Sequence, residues 1–154
     1  MGLDMYLFKR IGIYAMYEFE NINGTVFLTK SGEEIPINLK KISTITEQAA
    51  YWRKSNMIHQ WFVDNCQNGV DDCGEYEVTL DQIRELVRIC KTILKDHSKA
   101  ELLLPTQAGF FFGSTEIDEW YFDDLKLTVK QLEPLLKEKF PEGVYISYTY
   151  HSSW

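Results

Sequence analysis

The sequence predicts an α+β fold: a small, mainly antiparallel sheet packed against about three helices, with an accessory β-hairpin near the N-terminus. Three observations carry this. Both ends of the chain alternate like strands, with Leu3, Met5 and Leu7 on one face at the start and Val144, Ile146, Tyr148 and Tyr150 on one face at the end. Three stretches between them place apolar residues at helical spacing. Asn23-Gly24 is a hairpin signal, because both residues tolerate the positive φ of tight turns. Such an order suggests a layered sandwich whose terminal strands pair centrally, with the hairpin extending one edge.

The elements follow in order. Residues 2–8 form the first strand. Residues 13–20 form an apolar and aromatic run, and residues 25–30 return from the Asn23-Gly24 turn. After Ser31-Gly32, residues 33–39 pair as an edge strand, where Pro36 can lack a donor. The first helix is expected from Thr46, its N-cap, to Asn65. Tyr51, Ser55, Ile58 and Phe62 lie on one face, widened by Ala50, Met57 and Trp61; Gly69 and Asp71-Asp72 end the segment. Thr79-Leu80-Asp81-Gln82 matches a capping box and opens the second helix. Its apolar stripe is Ile83, Leu86, Val87, Cys90, Ile93 and Leu94, with Arg84, Glu85, Arg88 and Lys91 toward solvent. Gly109-Phe110-Phe111-Phe112-Gly113 reads as a short strand. Asp118 caps the third helix, whose core face is Phe122, Leu125, Val129, Leu132 and Leu136; Pro134 should kink or restart it. Residues 144–151 form the last strand.

The 154 residues suit one domain, with residues 11–45 as an accessory module. Hydrophobic residues make up 45% and aromatics 14%, enough for a sizeable core, so disorder is excluded as the main reading. No apolar run approaches the roughly 20 residues of a membrane helix, and Lys9-Arg10 is not followed by a signal-peptide stretch. The expected location is cytoplasmic. With 16 Lys and Arg against 23 Asp and Glu, the formal charge is −7. The densest basic stretches are pairs, so direct binding to duplex DNA is not expected. Cys66, Cys73 and Cys90 are odd in number and lack metal spacing, which points to free thiols.

Three stretches could carry chemistry. In the first, Trp52, Asn56, His59 and Val63 would share a helical face, mixing an amide and an imidazole with aromatic walls as a ligand cleft does. The simpler reading is that Asn56 and His59 border the core. In the second, Asp71, Asp72, Glu75 and Glu77 could hold a hard cation, but their spacing departs from the calcium-loop pattern and suits a turn. In the third, Gly113-Ser114-Thr115 could cradle an anion with backbone N–H groups and hydroxyls. Glu116, Asp118 and Glu119 follow and would repel it, so helix capping is favoured. No cofactor is indicated.

The opening Met1-Gly2-Leu3-Asp4-Met5-Tyr6-Leu7 resembles the start of a family of small phage- and prophage-encoded proteins. So do Tyr51-Trp52-Arg53-Lys54 with Asn56, Ile58-His59 and Trp61-Phe62-Val63, then Asp71-Asp72-Cys73-Gly74-Glu75-Tyr76, then Leu104-Pro105-Thr106-Gln107 with Gly109 to Glu116, and the closing Ser152-Ser153-Trp154. The resemblance spans the chain outside residues 11–45. It implies a phage gene expressed in a bacterial host, and implies no activity and no catalytic residues.

That setting favours an accessory protein that modulates a host system, such as a defence system, by binding. It would either sequester a nucleotide-type ligand or inhibit a host protein; self-association into a homo-oligomer stays open. Trp52, His59, Phe111, Tyr121 and Trp154 could stack on a base and Arg53 could meet a phosphate. The alternative is a metal-dependent enzyme acting on a nucleotide or nucleic acid, with acids around Asp72 and Glu75 and His59 as general base. A binding site is expected where Arg53, Asn56 and His59 on the first helix, Asp72 and Glu75 in the turn, and Ser114, Thr115 and Asp118 converge, flanked by the aromatics named above.

Overall fold

The computed structural model describes residues 2–12, 25–38 and 41–154. Its main sheet has four antiparallel strands in the order β4-β1-β6-β5: β1 is Asp4–Gly12, β4 is Thr44–Arg53, β5 is Glu75–Val78 and β6 is Tyr145–Ser153. The two terminal strands do pair centrally, with Asp4 opposite Ser153 and Gly12 opposite Tyr145. A separate two-stranded hairpin joins β2 (Leu28–Lys30) to β3 (Glu33–Ile35). Three long helices, α1 (Asn56–Cys66), α2 (Leu80–Lys95) and α4 (Glu119–Leu132), and the single turn α3 (Ala100–Leu103) complete the α+β fold.

Alternation puts Leu3, Met5 and Leu7, Ala50 and Trp52, and Tyr148 and Tyr150 in the core, where they meet Ile58 and Phe62 of α1, Ile83, Leu86, Cys90 and Ile93 of α2, and Leu125 and Leu132 of α4. The Trp52 indole N–H is satisfied there by the Thr128 hydroxyl at 2.9 Å. On the opposite face of the sheet, Tyr6 stacks with Phe8 and lies beside Tyr51 and His151. At the outer edge of β4 the Gln131 side chain pairs with Tyr51 as a strand would: Tyr51 N–H donates to Oε1 at 3.0 Å, and Nε2 donates to the Tyr51 carbonyl at 3.1 Å.

The helix expected from Thr46 is a strand up to Arg53. Thr44, Ile45 and Thr46 are β-branched, and Ala50 and Trp52 are buried alternately against β1. Pairing with a neighbouring strand outweighs the local helical spacing. The helix begins at Asn56, with Ser55 before it, so Trp52 and Arg53 lie on β4 and not on α1. Residues 109–113 are a turn, not a strand: Phe112 N–H donates to the Gly109 carbonyl at 3.2 Å, and only Phe112 of the three phenylalanines enters the core. The hairpin does not extend the main sheet; β4 occupies that edge, and β3 stops before Pro36. The 13–20 run and the Asn23-Gly24 turn lie outside the described residues.

The helix signals in the later chain match the structure. Thr79 and Gln82 form the full capping box, Asp118 accepts from Tyr121 N–H, and the helix tightens at Glu133–Lys137, where Pro134 removes a donor. No helix among the described residues is long and apolar enough to cross a membrane. Thr79→Ala removes the cap on the helix that lines the core. It should cost about 1 kcal/mol, lowering the melting temperature by about 3 °C in a calorimetric scan.

Candidate functional site

The stretch 104–118 is a loop between α3 and α4, and one buried amide sets its course. Asn56, 2% exposed at the start of α1, donates from Nδ2 to the carbonyls of Phe112 (3.1 Å) and Ser114 (2.8 Å), while its Oδ1 accepts from Gln107 N–H (2.9 Å). Further ties come from Leu3 N–H to the Phe111 carbonyl (3.1 Å), the Tyr121 hydroxyl to the Leu104 carbonyl (2.8 Å) and the Thr106 hydroxyl to the Thr115 carbonyl (3.0 Å). Two glycines permit this closeness. A Cβ at Gly109 would lie 2.5 Å from the Phe112 ring. Gly113 has φ +89, and a Cβ there would lie 3.2 Å from the Lys54 carbonyl oxygen.

His59 sits behind this loop and is fully buried. The Asp71 carboxylate accepts from Nε2 at 3.1 Å, and Nδ1 is hydrogen-bonded to the Tyr150 hydroxyl at 2.7 Å. Burial pushes the Tyr150 phenol well above its usual range, so it keeps its own proton. The other Asp71 oxygen accepts from the Trp154 indole N–H at 3.1 Å, and the Trp154 ring meets Phe112 edge-on. The imidazole is thus a fully used spacer between core and surface.

Two clefts flank the loop. One, of about 300 Å³, is lined by Arg53, Lys54, Asn56, Ser114, Asp118 and Tyr121 among the expected residues and their neighbours, and also by Glu116, Trp120 and Asp124. Burial raises the Asp124 carboxyl, and a hydrogen bond from Ser55 opposes this. The second, of about 370 Å³, is lined by Gln60, Asp71, Gln107, Phe110, Phe111 and Trp154.

The structure therefore gathers Arg53, Asn56, Ser114, Asp118 and Tyr121 at one cleft, and Phe111 and Trp154 at the other. Five expected residues stand apart: His59, buried behind the loop, and four others. Trp52 is 1% exposed and offers no face for stacking. Asp72 accepts from Gly74 N–H and from the Tyr76 hydroxyl, which lifts the Tyr76 phenol. Glu75 pairs with Arg10 at 2.8 Å. Thr115 serves through its backbone carbonyl. Among the described residues, no three His, Cys, Asp or Glu side chains converge as a metal site requires. Sequence reasoning passed over Phe110, Lys54 and Trp120, and named Asp71 only as a cation ligand or turn residue. Each adjoins a residue it selected; which neighbour points outward depends on the loop's turns, and those have no period to read.

No protein-family model, no curated protein and no solved structure matches the chain.

Asn56→Ala leaves one loop donor and two carbonyls without their partner. It should cost about 3 kcal/mol and speed amide exchange at Gln107. Unchanged exchange there would mean that the loop does not depend on this side chain. The burial of Cys66 and Cys90, whose thiols are pushed up to about 12, has a separate consequence. The fold keeps protons that the unfolded chain releases near its ordinary thiol value of about 8.5. The stability tied to them is complete below that pH and lost as pH rises toward 12; the raised phenol of Tyr150 acts in the same direction. Urea unfolding midpoints should fall steadily above about pH 9.

Proposed function

We propose that the protein is a phage-encoded accessory factor that modulates a host system by binding, and that the 104–118 loop docks it onto a host protein. One observation carries the reading: Phe110 is 94% exposed at the tip of a loop whose backbone is tied down on both sides. A large apolar ring held outward on a rigid support loses little conformational freedom when it enters a partner's pocket, which is the profile of an interface anchor. Phe111 and Trp154 border the same cleft, with Asp71 among them. With a formal charge of −7, the chain favours a partner whose apolar pocket is rimmed by basic residues, and the field would speed encounter.

The catalytic alternative has less support. The general base it would use, His59, is fully buried with both ring nitrogens engaged, and Asp72 and Glu75 are occupied by a turn and an ion pair. The reading in which a nucleotide-type ligand is sequestered draws on the other cleft.

The test is capture from the bacterial host with tagged wild-type chain and Phe110→Asp. A partner held by the wild type should be lost at least about tenfold by the variant and weakened by added salt, while the variant's melting temperature stays within about 2 °C. A partner retained equally by Phe110→Asp overturns the reading. Self-association that depends on Phe110, seen by light scattering, would make the occupant a second copy and overturn it as well.

A further inference from the structure

We infer that the 300 Å³ cleft between the β4–α1 turn and the start of α4 binds a mononucleotide, at a site separate from the loop tip. Its two walls differ in chemistry. One carries consecutive cations, Arg53 and Lys54. Arg53 Nε lies 3.9 Å from Asp4, beyond hydrogen-bond distance, and among the described residues Lys54 has no carboxylate partner. Lys54 also holds a left-handed backbone (φ 57), which is uncommon for a residue with a side chain and here turns β4 into α1. Gly113 presses against it from the loop, with a Cβ position only 3.1 Å from the Lys54 Cβ. The backbone that carries the two cations is therefore set before any ligand arrives.

The opposite wall belongs to α4. Trp120, 79% exposed in its first turn, has no ring partner among the described residues and presents a flat aromatic face. Glu116 and Asp124 add carboxyl groups beside it, whereas Asp118 is already engaged in capping the helix. Carboxyls outnumber cations in this cleft, so a compact polyanion is disfavoured. A molecule with its anion confined to one end fits better. In a mononucleotide the phosphate would meet Arg53 and Lys54, the base would stack on Trp120, and amino or hydroxyl donors would reach the carboxyls. The volume, near the lower limit for small-molecule sites, suits one nucleotide and not two.

The experiment is a calorimetric titration of the purified full chain with AMP, GMP, CMP and UMP, and with inorganic phosphate. At least one nucleotide should bind with a Kd below about 1 mM. Phosphate alone should bind at least about tenfold more weakly, and Arg53→Ala and Trp120→Ala should each weaken the nucleotide about tenfold or more. Both side chains are exposed, so the variants should melt like the wild type; the Trp120 indole resonance, shifted by nucleotide in an NMR titration, reads the same contact without mutation. No binding by any nucleotide at about 10 mM, equal binding of phosphate, or an unaffected Trp120→Ala overturns the site. The titration contains no host protein, so its outcome is independent of the Phe110 experiment.

Discussion

A single buried amide governs the surface of this protein. Asn56 has two hydrogens and one carbonyl oxygen, and all are used on the backbone of one loop, at Gln107, Phe112 and Ser114. Because the amide is anchored in the first turn of α1, whose next residues enter the core, the loop inherits the rigidity of the sheet-helix sandwich. A hydrophobic side chain at position 56 could fill the space but could not satisfy the three backbone groups that this amide holds. The exposed phenylalanine and the cationic cleft both lie on the framework this residue defines.

That dependence explains why some of the molecule was legible in its sequence and some was not. Periodic elements announced themselves. The Thr79–Gln82 box, the stripe of α2, the cap at Asp118 and the alternation in β1 and β6 all follow from local geometry and are present, although β1 runs on to Gly12 and β6 to Ser153, beyond the expected ends at residues 8 and 151. Residues 44–53 failed because two periods competed there. Tyr51, Ser55, Ile58 and Phe62 are spaced as on a helix, yet the first of them belongs to a strand whose register is dictated by β1, far away in sequence. Strand pairing is a tertiary fact that no window of ten residues contains.

The candidate residues divide along the same line. Asn56, Ser114 and Asp118 were selected for their chemistry and do meet, yet mostly as structure: Asn56 holds the loop, Ser114 accepts from Glu116 N–H and Asp118 caps α4. His59, whose simpler reading bordered the core, is the most enclosed, strung between Tyr150 and Asp71. The groups left free to meet a partner are their neighbours, Phe110, Lys54 and Trp120. Only the loop's turns reveal which residue supports and which is displayed.

The central pairing of β1 with β6 also shapes how the chain acquires its structure. During synthesis β1 can pair with β4 once residues 44–53 have emerged, leaving its other edge open until residues 145–153 follow. Until then a row of unpaired N–H and C=O groups flanks Leu3, Met5 and Leu7, the circumstance in which nascent strands stick to one another. Closing so large a loop last predicts slow, late consolidation of the sheet.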